Sequence, residues 1–245
     1  MLWSTKQALK RFIEKTGYSV HRSKAVSPGH QRVYPQATYA PWLLDPQFLA
    51  AYEQVRRHTL VDKYRCWELW KLVEQASRLA SGDCLEVGVW RGGSGCLIAK
   101  KVQLLKISSQ VYLCDTFMGV VKAGQSDDAY KGGEHADTSE ASVHALAHTM
   151  GVNVQVLRGM FPDDTGNQIE GKTLRFCHID VDVYQSARES TEWVWPRMVP
   201  RGIIVYDDYG FPGCDGVRKF LDEWQSATNC IFMHNLNGHA VIMKT

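Results

Sequence analysis

The sequence predicts a doubly wound α/β fold: a seven-stranded, mostly parallel sheet with helices on both faces, its last strand antiparallel, preceded by an N-terminal helical arm. Three observations predict it. From residue 83 onward, short apolar runs alternate with helical segments, the order of a parallel sheet covered on both faces. The last two runs, "CIFMH" and "HAVIM", are joined by Asn235-Leu236-Asn237-Gly238, a link that suits a hairpin and so reverses one strand. At 245 residues the chain suffices for one large domain with a substantial core and an appendage.

Taken in order, the elements begin with Leu2, Leu9, Phe12 and Ile13, which share roughly one helical face among Lys6, Lys10, Arg11 and Lys15. A basic amphipathic helix can lie on a membrane, but an arm packed on its own domain or on a second subunit is the favoured reading. Pro28, Gly29, Pro35, Pro41 and Pro46 mark 26–46 as irregular chain. Helices are expected at 47–57 and 63–80, the second carrying Cys66, Trp67, Leu69, Trp70, Leu72 and Val73 and ending near Ser81-Gly82. Strands follow near 83–88, 110–114, 153–158, 174–180, 202–206, 230–234 and 239–243, with helices near 93–104, 137–149, 184–196 and 214–226. The stretch 116–136, "TFMGVVKAGQSDDAYKGGEHA", is long for a connection; lying after the second strand, at the ligand edge, it reads as a mobile lid rather than a plain insertion.

Composition excludes several classes of function. With 28 basic against 26 acidic residues, nothing global points to nucleic acid or an acidic polymer, and a small-molecule partner is expected. The 7 cysteines have no C-x-x-C spacing and sit mostly inside apolar runs, which favours reduced core thiols over disulfides or zinc and places the protein in the cytoplasm. No run approaches the ~18 apolar residues of a membrane span, and no signal-peptide pattern opens the chain.

"CLEVGVWRGGSG", 84–95, carries chemistry. Glu86 lies on the first strand, Gly88 begins a turn, and Gly92-Gly93-Ser94 open a helix whose exposed N–H groups attract an anion. The second strand ends at Asp115, where a carboxylate can accept both hydroxyls of a ribose, so an adenosine site is expected. Trp90 and the missing middle glycine leave little room for a pyrophosphate. That favours S-adenosylmethionine, which has only a carboxylate to place over the helix, over a dinucleotide.

A second pair of motifs, "HIDVDVYQS" and "GIIVYDDYG", consists of apolar runs ending in acids, Asp180 and Asp182 in the first, Asp207 and Asp208 in the second. In a doubly wound sheet these ends lie side by side at the ligand edge. Charges of like sign ~4 Å apart repel by several kcal/mol at an effective dielectric near 20. An all-oxygen cluster therefore calls for a hard divalent cation, Mg²⁺, over the simpler reading of Asp207 and Asp208 as turn caps. His178 reads as a core or supporting histidine, and His234 and His239 as ordinary residues of the terminal strands. A sulfonium methyl beside such a cation suggests transfer to a hydroxyl made more acidic by the metal, with a neighbouring carboxylate collecting the proton.

"CLEVGVWRGGSG", "YLCDTF", "HIDVDVYQSARESTEWVWPRMVPRGIIVYDDYG" and "GVRKFLDEW" resemble the macrocin O-methyltransferase family, whose members methylate sugar hydroxyls of natural products with S-adenosylmethionine and Mg²⁺. The resemblance implies a Rossmann-like class I methyltransferase domain over 59–245 and an N-terminal arm and cap over 1–58 that helps shape the acceptor pocket and subunit contact. It implies Asp180, Asp207 and Asp208 as metal ligands, Asp182 as general base with Asp180 as the other candidate, and a homo-oligomer. For the cofactor it implies Glu86, Gly88, Trp90, Gly92 and Ser94 around the methionine end, Asp115 and Thr116 at the ribose, and Phe117, Met160 and Phe161 near adenine. Thr59 and Tyr64 correspond to a segment closing over the donor, and Asp180 also adjoins it. The acceptor is expected to be a sugar of a glycosylated natural product or surface glycan; the alternatives are a catechol-like diol and a non-catalytic binding module retaining the fold.

Overall fold

The protein is described by a computed structural model that covers residues 29–31, 33 and 37–245; the basic segment at 2–15 lies outside the described residues. Residues 37–245 lie within one compact unit. In chain order it contains α1 (Pro46–Val55), α2 (Lys63–Ala76), β1 (Asp83–Val87), α3 (Gly93–Leu105), β2 (Val111–Asp115), α4 (Glu140–Met150) and β3 (Gln155–Arg158). There follow β4 (Leu174–Ile179), α5 (Tyr184–Val194), β5 (Met198–Tyr206), α6 (Asp215–Ala227), β6 (Cys230–His234) and β7 (Ala240–Lys244).

Local chemistry sets these bounds. Asp62 starts α2 by accepting the amides of Tyr64 (2.8 Å) and Arg65 (3.2 Å). Cys66, Leu69, Trp70, Val73 and Ala76 then form its buried stripe. The helix expected from 137 begins instead at Glu140, where Ser139 caps the Ser142 amide at 3.2 Å. Asp137 is held outside the helix by Trp90 and Arg91. β5 starts at Met198 rather than 202, because Leu174 pairs with Met198 across an irregularity in the β4 ladder.

The strand order is β3-β2-β1-β4-β5-β7-β6. Strands β1 to β5 pair in parallel, whereas β7 pairs antiparallel with both β5 and β6. The hairpin is as expected, but its reversed strand lies inside the sheet and β6 forms the edge. One face packs against α1, α2, α3 and α4 through residues such as Phe48, Trp70, Leu97 and Val143. The other packs against α5 and α6 through Ala187, Val194, Val217 and Phe220. α1, before residue 59, contributes the fully buried Phe48 and Val55 to that first core. No helix among the described residues is long and apolar enough to cross a membrane.

Register explains where chemistry collects. The ladders pair Val87 with Cys114, Val87 with Ile179, Ile179 with Tyr206, and Tyr206 with Ala240. One residue further along the parallel strands, and one residue back along antiparallel β7, Asp115, Gly88, Asp180, Asp207 and His239 fall in a row at the carboxyl edge of the parallel strands, beside the switch point between β1 and β4 where open α/β sheets bind ligands.

Candidate active site

Asp180, Asp207 and Asp208 bring carboxylate oxygens within 4.8 Å of one another. Burial, then the charges of Asp207, Asp208 and Asp182, push the Asp180 carboxyl well above the usual range. Burial, then Asp182 and Asp207, does the same to Asp208. Asp182 is raised as well, chiefly by burial. Asp207 differs: burial opposes its charge, but His178, His239 and the Arg65 guanidinium outweigh it and hold the carboxyl well below the usual range. Three oxygen donors, two of them short of positive partners, are the donor set a hard divalent cation requires.

Two imidazoles stand behind this cluster. His178 is fully buried, with Nδ1 2.8 Å from Glu86 Oε1 and Nε2 3.6 Å from Asp207 Oδ1, a distance too long for a hydrogen bond. Its supporting position matches the expectation. His239 corrects it: this residue is no ordinary strand position but lies just before β7, fully buried, with Nε2 2.9 Å from Asp207 Oδ1 and Nδ1 2.6 Å from Glu68 Oε2. Arg65 on α2 closes the other side. It pairs with Asp207, donates to Asp62 at 2.9 Å and stacks on Phe211 at 4.3 Å.

A cavity of about 320 Å³ opens beside the carboxylates, large enough for a small organic ligand. Its wall includes Thr59, Gly88, Trp90, Ser94, Asp115, Thr116, Phe161, Asp180, Asp182, Asp207 and Asp208. Gly88 has φ +85°, and a Cβ there would stand 1.7 Å from the Asp180 carbonyl oxygen, so only glycine lets β1 turn past β4. Trp90 (φ +48°), Phe117 (φ +56°) and Asp182 (φ +65°) hold left-handed conformations at the ends of three strands, the backbone strain that concentrates at ligand sites.

Other expected cofactor residues lie elsewhere. Glu86 is fully buried beneath the cavity on His178, and its Oε2 has no hydrogen-bond partner. Gly92 caps α3 from behind the wall. Phe117 packs into the first core, and the Met160 amide donates to Asp164 at 2.8 Å. Tyr64 is half-exposed and packs edge-on against Trp42, while its neighbour Arg65 faces the site. The first amide of α3, Gly93 N–H, donates to the His58 carbonyl at 2.9 Å rather than to a ligand. Asp115 already accepts the amides of Val89 (2.6 Å), Trp90 (2.8 Å) and Phe117 (2.6 Å). A carboxylate offers about four acceptor positions, so these three amides already occupy most of those of Asp115.

The wall also contains residues that sequence patterns did not mark. Ser190 on α5 is fully buried, and its Oγ has no hydrogen-bond partner. The hydroxyl itself is buried, so a bound ligand would meet it only after a local rearrangement of the wall. The segment 116–136 contributes Gly119, Val120, Val121, Tyr130 and His135 to the wall. Val120 and Glu134 clasp its base at 2.8 Å, and buried Asp127 fastens it to the first amide of α5, Tyr184 N–H, at 2.9 Å.

The family model for macrocin O-methyltransferase (TylF) matches residues 52–242. The chain belongs to the TylF macrocin O-methyltransferase family. It is therefore an O-methyltransferase, and the reading as a non-catalytic binding module falls away. Among the curated relatives of this family member, mycinamicin III 3''-O-methyltransferase of Micromonospora griseorubida is 31% identical over 67% of this chain and 70% of its own. The 8-demethyl-8-(2,3-dimethoxy-alpha-L-rhamnosyl)-tetracenomycin-C 4'-O-methyltransferase of Streptomyces olivaceus is 26% identical over 72% of each chain. The structure of the O-methyltransferase NovP superimposes with a TM-score of 0.67 at 22% identity, over 77% of this chain and 82% of that one, and shares its fold.

Proposed function

We propose that this enzyme moves a methyl group from S-adenosylmethionine to a sugar hydroxyl of a glycosylated natural product or surface glycan, with Mg²⁺ held by Asp180, Asp207 and Asp208. The observation that carries the reading is the gathering of three carboxylates, two of them buried, on the wall of the cavity that Gly88, Asp115 and Ser190 also line. The sugar acceptor rests on the two relatives, one named for the 3'' position of mycinamicin III and the other for the 4' position of a rhamnosyl-tetracenomycin.

S-adenosylmethionine, when bound, supplies an electrophilic methyl group on sulfur. Mg²⁺, when bound, supplies a Lewis acid that makes a nearby hydroxyl more acidic. The protein's own contribution is placement and proton handling. Asp115 offers a hydrogen-bond acceptor to a nucleoside, and the Gly88 turn keeps the β1 backbone close to it. Asp182 takes the hydroxyl proton, and burial, which raises its carboxyl, brings it nearer the basicity that such a transfer favours. Asp180, in the same cavity, is the other candidate. The cover at 116–136 excludes water.

Calorimetric titration of metal-stripped protein tests this, first with S-adenosylmethionine and then with Mg²⁺ in the presence of S-adenosylhomocysteine. Binding of both, with the Mg²⁺ step lost in the Asp207→Asn, Asp208→Asn double variant, supports the reading and directs an acceptor panel of glycosides, nucleotide sugars and catechol. Methyl transfer by the double variant at the wild-type rate would sink the metal role.

A further inference from the structure

We propose that His239, anchored by Glu68, is a positioning residue that sets the orientation of Asp207 and thereby the metal affinity of the site. The inference rests on the reading of Asp207 as a metal ligand, and its two supporting residues, His239 and Glu68, lie outside both carboxylate motifs.

The geometry is directional. Three donors converge on the Glu68 carboxylate: Asn235 Nδ2, Asn237 Nδ2 at 2.9 Å and His239 Nδ1 at 2.6 Å. The two asparagines belong to the β6–β7 link, so Glu68 fastens that hairpin to α2 and fixes the plane of the imidazole. The opposite ring nitrogen, Nε2, then meets Asp207 Oδ1 at 2.9 Å. The His239 amide also donates to Asn237 Oδ1 at 3.1 Å, which holds the backbone at the point where β7 begins.

Arg65 and Glu68 lie three residues apart on α2 and so project from one helix face. Arg65 engages Asp207 Oδ2 while Glu68 reaches Oδ1 through His239. Asp207 is therefore gripped on both oxygens from a single helix, whereas Asp208 is held by the amides of Val181 and Asp182. A supporting partner that fixes a ligating carboxylate tunes affinity without touching the ion, and its loss costs 10–100-fold in metal binding or activity. A hairpin clasp with no bearing on the site would instead lower thermal stability alone.

The test compares wild type, His239→Ala, His239→Gln and Glu68→Gln as metal-free proteins saturated with S-adenosylhomocysteine, titrated with Mg²⁺ by calorimetry. The Mg²⁺-induced rise in Tm and the S-adenosylhomocysteine Kd are measured alongside. His239→Ala is expected to raise the Mg²⁺ Kd at least tenfold while leaving the S-adenosylhomocysteine Kd within twofold. His239→Gln, whose amide nitrogen can take the place of Nε2 toward Asp207, is expected to recover most of that loss, with Glu68→Gln falling between. Mg²⁺ affinity within twofold of wild type in both His239→Ala and Glu68→Gln overturns the inference, whatever happens to Tm. If His239→Ala does not fold, the two conservative variants decide alone. Wild-type protein that binds no Mg²⁺ overturns the metal reading itself and this inference with it, an outcome distinct from unchanged variants.

Discussion

Asp208 holds Asp182 in place: its Oδ2 accepts the Asp182 amide at 2.8 Å and the Val181 amide at 3.0 Å, fixing a turn in which Asp182 has φ +65°. One carboxylate thus serves two purposes, as a candidate metal ligand and as the cap of a strained turn. Asp208→Asn keeps a carbonyl oxygen for the amides, so its Tm is expected to stay within a few degrees of wild type while Mg²⁺ binding is lost. Asp208→Ala leaves two part-buried amides without a partner and is expected to lose about 1–3 kcal/mol in addition. Denaturant melts of the metal-free proteins check this, and equal stability of the two variants would remove the capping role.

The same cluster makes stability depend on pH in opposite senses. Asp180 and Asp208, raised chiefly by burial, contribute stability that is complete below the unfolded carboxyl value of about 3.9 and is lost as pH rises through their elevated values. Asp207, held low, contributes stability present above about 3.9 and lost only as pH falls below it. The metal-free protein is therefore expected to lose Tm as pH rises above about 3.9, and millimolar Mg²⁺ to restore more Tm at the upper end. Thermal melts with and without Mg²⁺ across that range measure both trends. A Mg²⁺ increment that shrinks as pH rises contradicts the assignment.

Much of this was readable in advance where one side chain alternation or one helical stripe decides. The β4 and β5 runs are apolar through Ile179 and Tyr206 and change to acids at the next residue, so Asp180 and Asp207 were legible as strand ends. Arg65, Glu68 and His239 were not. Charged residues beside an apolar helix stripe usually face water, and only the spatial insertion of β7 between β5 and β6 brings His239 opposite Asp207. Tyr64 illustrates the residual error of helical phase: one position, about 100° of rotation, separates the half-exposed tyrosine from the buried arginine that faces the site. Asp115 stands at the end of β2 as expected, but its three amide partners depend on the turns after β1 (Val89, Trp90) and β2 (Phe117), which no spacing rule describes.

Ser190 gives a prediction with two signs. Its buried hydroxyl lacks a partner among the protein's own groups, so Ser190→Ala is expected to leave the ligand-free protein as stable or slightly more stable. If the hydroxyl meets the bound nucleoside, the same change is expected to weaken S-adenosylmethionine by about tenfold, the worth of roughly one hydrogen bond. Paired melts and calorimetry separate the two effects. A variant that loses stability but binds the donor normally would place the hydroxyl in the fold's service instead.

Asp182 offers the sharpest division between binding and chemistry. Its left-handed backbone is one that asparagine adopts readily, so Asp182→Asn is expected to preserve the turn and the amide bond to Asp208. It removes a carboxylate whose charge is unfavourable beside Asp208 and leaves the three proposed metal ligands intact. Mg²⁺ and S-adenosylmethionine affinities are therefore expected to hold within about threefold while kcat on a true acceptor falls by roughly 10²–10⁴, the usual worth of a general base. The acceptor KM should change little, since only proton transfer is lost. Asp180→Asn is expected to behave differently, losing Mg²⁺ affinity together with activity. If Asp182→Asn retains wild-type kcat, the proton goes elsewhere, and Asp180 becomes the group that collects it.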